Sequence, residues 1–340
     1  MSGDFDERYS RQILFSGIGP AGQLRLAQSQ VAIAGCGATG SAAAALLARA
    51  GVGKLRIIDR DFVEPSNLQR QNLFDEADAA ASLPKAVAAA RKIASFNSSI
   101  VVEPQVADLT PENARDLLSG FDLILDGTDN FETRYLINDF AISEGVPWIY
   151  VAAVGSYGVT MNVLPGRTAC LACVFPEPPQ GGLENCDTAG VLNSAVNAVA
   201  SLATAEVLKL LVGAPERLRR TLLSFDVWTN HRSEVQAGEP RPGCRACDRR
   251  HFIHLASGAR SDITMCGRNS VQISRPGAPL SFAELSVRLK SHGTVRHNEF
   301  VLKFWHEPYE MTLFADGRAI IKGTADTAVA RNLYARFIGN

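Results

Sequence analysis

The chain of 340 residues has almost no charge imbalance: 34 Lys and Arg stand against 35 Asp and Glu, for a formal net charge of −1 and a sequence pI near 6.6. Without a basic excess, nothing in the overall composition points to nucleic acid. The amino terminus, MSGDFDERYSRQ, lacks the basic flank and apolar stretch of a secretory signal, and no later apolar run reads as a convincing membrane span. A cytoplasmic chain with neither a membrane nor a nucleic-acid partner is expected. Internal repeats and low-complexity tracts are missing too. Cysteines are few and odd in number, seven in all, so complete pairing into disulfides within the chain is excluded. Two C-x-x-C pairs in a cytosolic chain argue for metal or redox chemistry instead. What is plentiful is apolar: 46% of residues against 20% charged, enough at this length for one large domain with a small one, or two of medium size.

Val31 to Gly35 (VAIAG) is a short apolar run ending in glycine, and the alanine-rich stretch from Gly40 to Ala50 follows with no breaker. That pattern predicts strand, turn and helix. Lys54 to Asp59 is a second strand at the spacing of a βαβ crossover, and Phe121 to Asp126 and Trp148 to Ala153 are further buried strands. The expected fold class is α/β, a doubly wound Rossmann-like sheet. From Val174 to Gly190 prolines and glycines replace any periodicity, which predicts a long mobile loop carrying Cys186. Leu192 to Val212 is apolar nearly all round, as expected of a buried helix, with Gly213 as its C-cap. Leu222 to Trp228 resembles a strand, and Gln236 to Gly243 is a turn-rich linker.

The domain organisation expected is a unit over residues 1–248 and a small α+β module over 249–340. In the module, Ser281 and Glu284 have capping-box spacing ahead of a helix. Phe300 to Trp305, Tyr309 to Phe314 and Ala319 to Ile321 read as strands around an Asp316-Gly317 turn, and a helix from Asp326 to Ile338 would bury Ala330, Leu333, Tyr334 and Phe337.

Gly35-Cys36-Gly37-Ala38-Thr39-Gly40 is a G-x-G-x-x-G between a predicted strand and helix, where bare backbone lets phosphates approach the helix N-terminus. Asp59 ends the next strand at the spacing of a ribose-binding carboxylate. By itself this motif fits an NAD-dependent oxidoreductase best, with a ligand-free tight turn as the bland alternative. The residues that follow shift the balance. Asp59-x-Asp61 runs into Ser66-Asn67-Leu68-Gln69-Arg70-Gln71, which a dehydrogenase does not need. ATP carries about four negative charges and requires fixed cations; Arg70 and Lys85 can supply them, and Asp129 can hold magnesium. Taken singly, either cation could equally be a solvated surface charge.

Cys170-x-x-Cys173 and Cys244-x-x-Cys247 supply four thiolates in two knuckles, a set suited to tetrahedral zinc. Such a metal would clip the region before the predicted loop to the chain after the predicted long helix. Two redox pairs, or unligated core cysteines, are the other readings, and His251 and His254 could substitute as ligands. Cys36 reads as a small residue packed under the glycine loop and Cys266 as a core residue of the terminal module.

R-Y-S-R-Q near the start, GCGATG, DRDFVEPSNLQRQ, LPK and DGTDNFETR together resemble the ThiF/MoeB-type adenylyltransferases of thiamine and molybdopterin biosynthesis, to which the ubiquitin-activating enzymes are similar. The resemblance covers about residues 8 to 247. It implies ATP-dependent adenylylation of the C-terminal carboxylate of a ubiquitin-like sulfur-carrier protein ending in Gly-Gly, with pyrophosphate released, Mg2+ and Zn2+ as metals, and a separate sulfur donor. Gly35, Gly37, Ala38 and Gly40 would contact phosphates or adenosine, and Asp59 the ribose, with Asp61 and Ser66 beside it. Asn67, Arg70 and Lys85 would grip the phosphates, and Asp129, next to Asn130, would be the magnesium-linked carboxylate. Arg11 would reach into the partner subunit's site as an arginine finger, which makes a homodimer obligatory. Asn185-Cys186-Asp187-Thr188-Ala189-Gly190 is similar to the family's active-cysteine segment, implying a covalent link to the carrier at Cys186; a plain loop cysteine is the alternative. Two departures stand out: Ala38 where glycine is common, and Leu83-Pro84-Lys85 in place of a glycine-containing approach. The segment around Asp316 to Thr324 resembles the tails of longer bacterial thiazole-type members. Within adenylylation, a peptide or a modified tRNA carboxylate is the rival acceptor.

Overall fold

The computed structural model describes residues 7–177, 189–256, 263–265, 269–273 and 280–339. The chain divides into two compact units, Met1–Gly258 and Ala259–Asn340.

Eight strands build the sheet of the first unit: β1 Gln30–Ala34, β2 Lys54–Ile58, β3 Val101–Gln105, β4 Leu123–Asp126, β5 Trp148–Val154, β6 Tyr157–Val163, β7 Thr221–Asp226 and β8 His231–Gln236, in the order 3-2-1-4-5-6-7-8. Pairing is parallel from β3 through β5 and antiparallel from β5 through β8. From β1 the chain winds outward to β2 and β3, then returns to place β4 on the other side of β1. The crevice beyond the carboxyl ends of β1 and β4 is therefore a topological switch point, where open α/β sheets bind ligands.

The central strands are apolar on both faces because helices cover both. Ile33, Leu55 and Leu125 pack in a core that includes Leu47 of the helix Ala38–Ala50 and Val199 and Ala203 of the helix Asn193–Leu211. Ala32, Ala34 and Ile124 lie in the other core with Tyr135, Leu136 and Phe140 of the helix Phe131–Glu144. Each fully buried Leu or Ile side chain contributes about 1.5–3 kcal/mol. The helix Ala38–Ala50 ends at Gly51, φ +82, where a β-carbon would sit 2.7 Å from the Tyr9 ring. Only glycine fits both the left-handed turn and that contact.

Asn193–Leu211 is long and apolar enough, by length and composition alone, to cross a membrane. Here it lies against β5, β6 and the helix Ala38–Ala50. Burial on all sides, expected from its composition, does not hold: Ala195, Val199, Ala203 and Val207 face the core while Ser201 and Leu202 are exposed. A helix layered on a sheet buries one stripe, and the small residues let that stripe approach closely.

The second unit is a six-stranded antiparallel sheet of β9 Ile263–Met265, β10 Ser270–Ile273, β11 Thr294–His297, β12 Val301–His306, β13 Tyr309–Phe314 and β14 Ala319–Lys322, ordered 11-12-13-14-10-9. Ser281 caps the helix Phe282–Leu289 by accepting the Glu284 N–H, and Asp326 caps Thr327–Phe337 by accepting the Ala328 and Val329 N–H groups. Leu285, Leu289, Leu333 and Phe337 of these helices pack with Leu302, Phe304, Met311, Leu313 and Ile321 of the sheet.

Candidate active site

The loop leaving β1 is closed by three glycines pressed together. Gly35 has φ +88, and a β-carbon there would lie 2.6 Å from the Gly127 carbonyl oxygen. One on Gly40 would lie 2.0 Å from the Gly35 oxygen, and one on Gly127 2.4 Å from that same oxygen. The turn after β1 and the turn after β4 are thus locked by backbone contact. Gly37 is different: its nearest neighbour would be 3.9 Å away, so packing does not demand glycine there. The open space beside it, at the start of the helix beginning with Ala38, suits a phosphate approaching backbone N–H groups. Gly127 belongs to the D-G-T-D-N run, but its partnership with Gly35 and Gly40 becomes visible only once β4 lies beside β1.

Asp59, just past β2, accepts the backbone N–H of Cys36 at 2.6 Å and of Asp61 at 2.7 Å. Burial pushes its carboxyl above the ordinary carboxylate range, and Lys85 opposes the rise. Lys85 is only 5% exposed, so it is no solvated surface charge; its Nζ lies 3.1 Å from Asp61 Oδ2, and its backbone N–H bonds to the Asp61 carbonyl at 2.9 Å. Cys36 is fully buried, and burial, with Asp59 adding, pushes its thiol up, as suits a packed residue without reactivity.

Asn67 is buried and its Oδ1 accepts the Glu64 N–H at 3.0 Å, capping the short turn Pro65–Asn67. Ser66 is exposed, and its carbonyl receives a 2.7 Å bond from half-buried Arg70. Beyond β4, Asp126 is fully buried; its Oδ1 accepts the Thr128 N–H at 2.8 Å and hydroxyl at 2.6 Å, and Oδ2 accepts Arg134 Nε at 3.1 Å. Asp129 is exposed at the turn, and Asn130 caps the helix Phe131–Glu144 by accepting the Thr133 N–H at 2.8 Å.

The glycine loop, Asp59, Asp61 and Lys85 are therefore joined by direct contacts, and Asp129 and Asn130 continue the turn that Gly127 locks to that loop. Arg11 is elsewhere. It is exposed on the short helix Ser10–Ile13, and neighbouring Gln12 bonds to the Ala50 carbonyl at 2.8 Å, at the far end of the helix that starts at the loop. Cys186 and Cys266 lie outside the described residues.

Cys170, Cys173, Cys244 and Cys247 converge, with all four sulfurs within 4.8 Å of one another. The Cys170 sulfur is 3.7 Å from that of Cys173 and 3.6 Å from that of Cys244, and the Cys173 and Cys247 sulfurs are 3.2 Å apart. Tetrahedral zinc with bonds of about 2.3 Å spaces its sulfurs at about 3.8 Å, so the donor set fits the ion. Bonds from the Cys170 thiol and the Arg241 N–H, the latter at 3.3 Å, hold the Cys173 thiol down and favour its thiolate. His254 is not in the cluster; its ring stacks on Tyr135 at 5.0 Å, and burial pushes its pKa down.

The ThiF family matches residues 9–246. The chain belongs to that family. Over 336 residues it is 44% identical to the sulfur carrier protein ThiS adenylyltransferase of Bacillus subtilis, covering 98% of this chain and 99% of that protein. It is 38% identical over 226 residues to the sulfur carrier protein adenylyltransferase of Thermus thermophilus, covering 65% of this chain and 83% of the relative. The ThiF match ends ahead of the second unit, whereas the likeness to the Bacillus protein runs through it. Among solved structures, E. coli MccB with MccA-N7isoASN has a TM-score of 0.63 at 25% identity, covering 71% of this chain and 75% of that one, which shows a shared fold.

Proposed function

We propose that this ThiF-family chain uses ATP to adenylylate the C-terminal carboxylate of a ubiquitin-like sulfur-carrier protein ending in Gly-Gly, releasing pyrophosphate. The observation that carries the reading is likeness over nearly the whole length to a protein named for acting on the carrier ThiS, in a chain whose glycine loop, Asp59 and Lys85 meet at the switch point of the sheet. The carrier's carboxylate is already ionised at neutral pH and attacks the α-phosphate directly, so no strong base is required. What it lacks is a leaving group, and the adenylate provides one. Gly37 and the helix N-terminus receive phosphate, Asp59 receives the ribose, and Arg70 and Lys85 offset the charge that develops as pyrophosphate departs. The exposed carboxylate of Asp129 fits Mg2+, a hard cation that takes oxygen ligands and would neutralise phosphate charge there.

Arg11 completes the site from a second copy of the chain. The helix Ala38–Ala50 has 13 residues, so its ends are separated by about 18 Å. Arg8 and Tyr9 bond to Asn97, and Gln12 bonds to Ala50 and Gln23, pinning the segment at the end remote from the phosphate loop. Its own subunit's phosphates are out of reach of Arg11, and the homodimer supplies the arginine finger in trans. The Cys186 thiolate would then attack the adenylated carboxylate, forming a thioester with the carrier as AMP leaves, before a separate sulfur donor acts. All of these residues lie in the first unit, Met1–Gly258, leaving the second, Ala259–Asn340, outside the chemistry.

Exchange of labelled pyrophosphate into ATP tests the reading. With a Gly-Gly carrier present, exchange is expected with a free C-terminal carboxylate and absent when that carboxylate is amidated. Failure across ThiS-type carriers, or hydride transfer with a nicotinamide cofactor, would overturn it.

A further inference from the structure

Arg134 is 6% exposed, yet nothing in the proposed chemistry uses it. Its guanidinium joins the end of β4 and the turn after it to β5. Nε donates to Asp126 Oδ2 at 3.1 Å, at the end of β4; Nη2 donates to the Thr128 carbonyl at 2.6 Å, in the turn, and to the Val151 carbonyl at 3.3 Å, on β5. The ring of Tyr150 lies 5.2 Å away and that of Phe131 5.3 Å, walling the cation. Asp126 spends its other oxygen on the Thr128 N–H and hydroxyl. Burial works against the guanidinium's charge, while Asp126, Tyr150 and Asp129 hold its pKa up; the same burial pushes Asp126 up, with Arg134 opposing.

Packing alone does not call for a buried ion pair here, since apolar residues of similar volume fill such space at no loss of stability. A planar fork, by contrast, fixes the relative positions of its acceptors. The residues it fixes are those on either side of Gly127, which presses on Gly35 and Gly40, and the second of them, Thr128, immediately precedes Asp129. We propose that Arg134 is a positioning residue for nucleotide activation: it sets the turn Asp126–Asn130 so that Gly127 closes the phosphate loop and the Asp129 carboxylate is presented to the metal–phosphate complex. This rests on the reading of Asp129 as the Mg2+-linked carboxylate.

The test is Mg2+-dependent binding of ATP to the full-length chain, measured by titration calorimetry, together with zinc content and thermal unfolding. Arg134→Lys keeps the charge and loses the fork. It is expected to raise the Mg2+ concentration for half-maximal ATP binding by about tenfold or more, the usual scale for residues that orient metal ligands, and to leave zinc content unchanged. If that protein does not fold, the double variant Asp126→Asn with Arg134→Gln removes the fork without leaving a lone buried charge, and the same rise is expected. Asp129→Asn separates the two ideas. If it shifts the Mg2+ dependence and the Arg134 variants do not, the positioning role is overturned even where they melt earlier. If Asp129→Asn itself leaves the Mg2+ dependence unmoved, it is the reading of Asp129 that fails.

Discussion

Arg245, between the two cysteines of the second knuckle, meets Asp139 of the helix Phe131–Glu144 with both terminal nitrogens, Nη1 to Oδ2 at 2.9 Å and Nη2 to Oδ1 at 3.0 Å. Asp139 is fully buried and also accepts the His254 N–H at 3.1 Å. The residue before it, Asn138, accepts the Leu171 N–H of the first knuckle at 2.9 Å. Adjacent positions on one helix thus hold the two knuckles that sequence places far apart.

Asp139→Ala is therefore expected to loosen the metal site while all four cysteines remain. Removing one partner of a buried pair costs about 3–5 kcal/mol, and the partial exposure of Arg245 places this one near the lower end. Zinc release to a chromogenic chelator should accelerate together with a lower melting temperature. Wild-type release rates in a destabilised variant would show that the helix does not support the knuckles.

The native protein should contain one zinc per chain when prepared without chelators, and Cys244→Ser should lower that content and the thermal stability together. Four thiolate ligands would leave no open coordination position, so a metal held there would be structural. Elemental analysis finding no zinc would return the cluster to a thiol or redox role.

The glycines separate packing from ligand approach. Gly40→Ala drives a β-carbon into the Gly35 carbonyl and is expected to cost on the order of 3 kcal/mol of stability by denaturant unfolding. Gly37→Ala, with open space around it, should unfold close to wild type and weaken ATP binding instead. Equal destabilisation of the two would argue against Gly37 facing a ligand.

Arg11→Ala and Asp129→Ala should each be inactive in pyrophosphate exchange, and mixed heterodimers of the two should recover activity. In a heterodimer one site carries both lesions, and the other combines wild-type Arg11 from one chain with wild-type Asp129 from its partner. Arginine fingers contribute about a thousandfold or more to phosphoryl transfer, so recovery stands well above either parent. Verified heterodimers as inactive as the parents would remove Arg11 from the interface role.

The parts of the fold that the sequence announces are those where local pattern and final environment agree. Apolar runs at β1, β4 and the first half of β5 are buried strands, and Ser281 and Asp326 cap the helices their spacing predicts. Edge strands lack such agreement. β3 contains Pro104, tolerable on an edge because a missing donor can face outward, and every residue of β8 is exposed, so neither carries an apolar signature. Their pairing comes from neighbouring strands.

For the site, residue types and spacing by themselves determined a glycine-rich turn between a strand and a helix, a carboxylate at the end of the next strand, and four cysteines in two knuckles. Those features are local, because a tight turn or a C-x-x-C hook is decided by a few consecutive residues. Only the tertiary structure decided that Gly127 locks Gly35 and Gly40, that Arg134 ties β4 to β5, that Lys85 is buried on Asp61, that the segment carrying Arg11 is pinned at the end of the helix Ala38–Ala50 remote from the glycine loop, and that the two knuckles close on one point. Each of these depends on distances between residues remote in sequence, which are set when β4 returns beside β1 and the helix Phe131–Glu144 packs across the sheet; no periodicity along the chain encodes them.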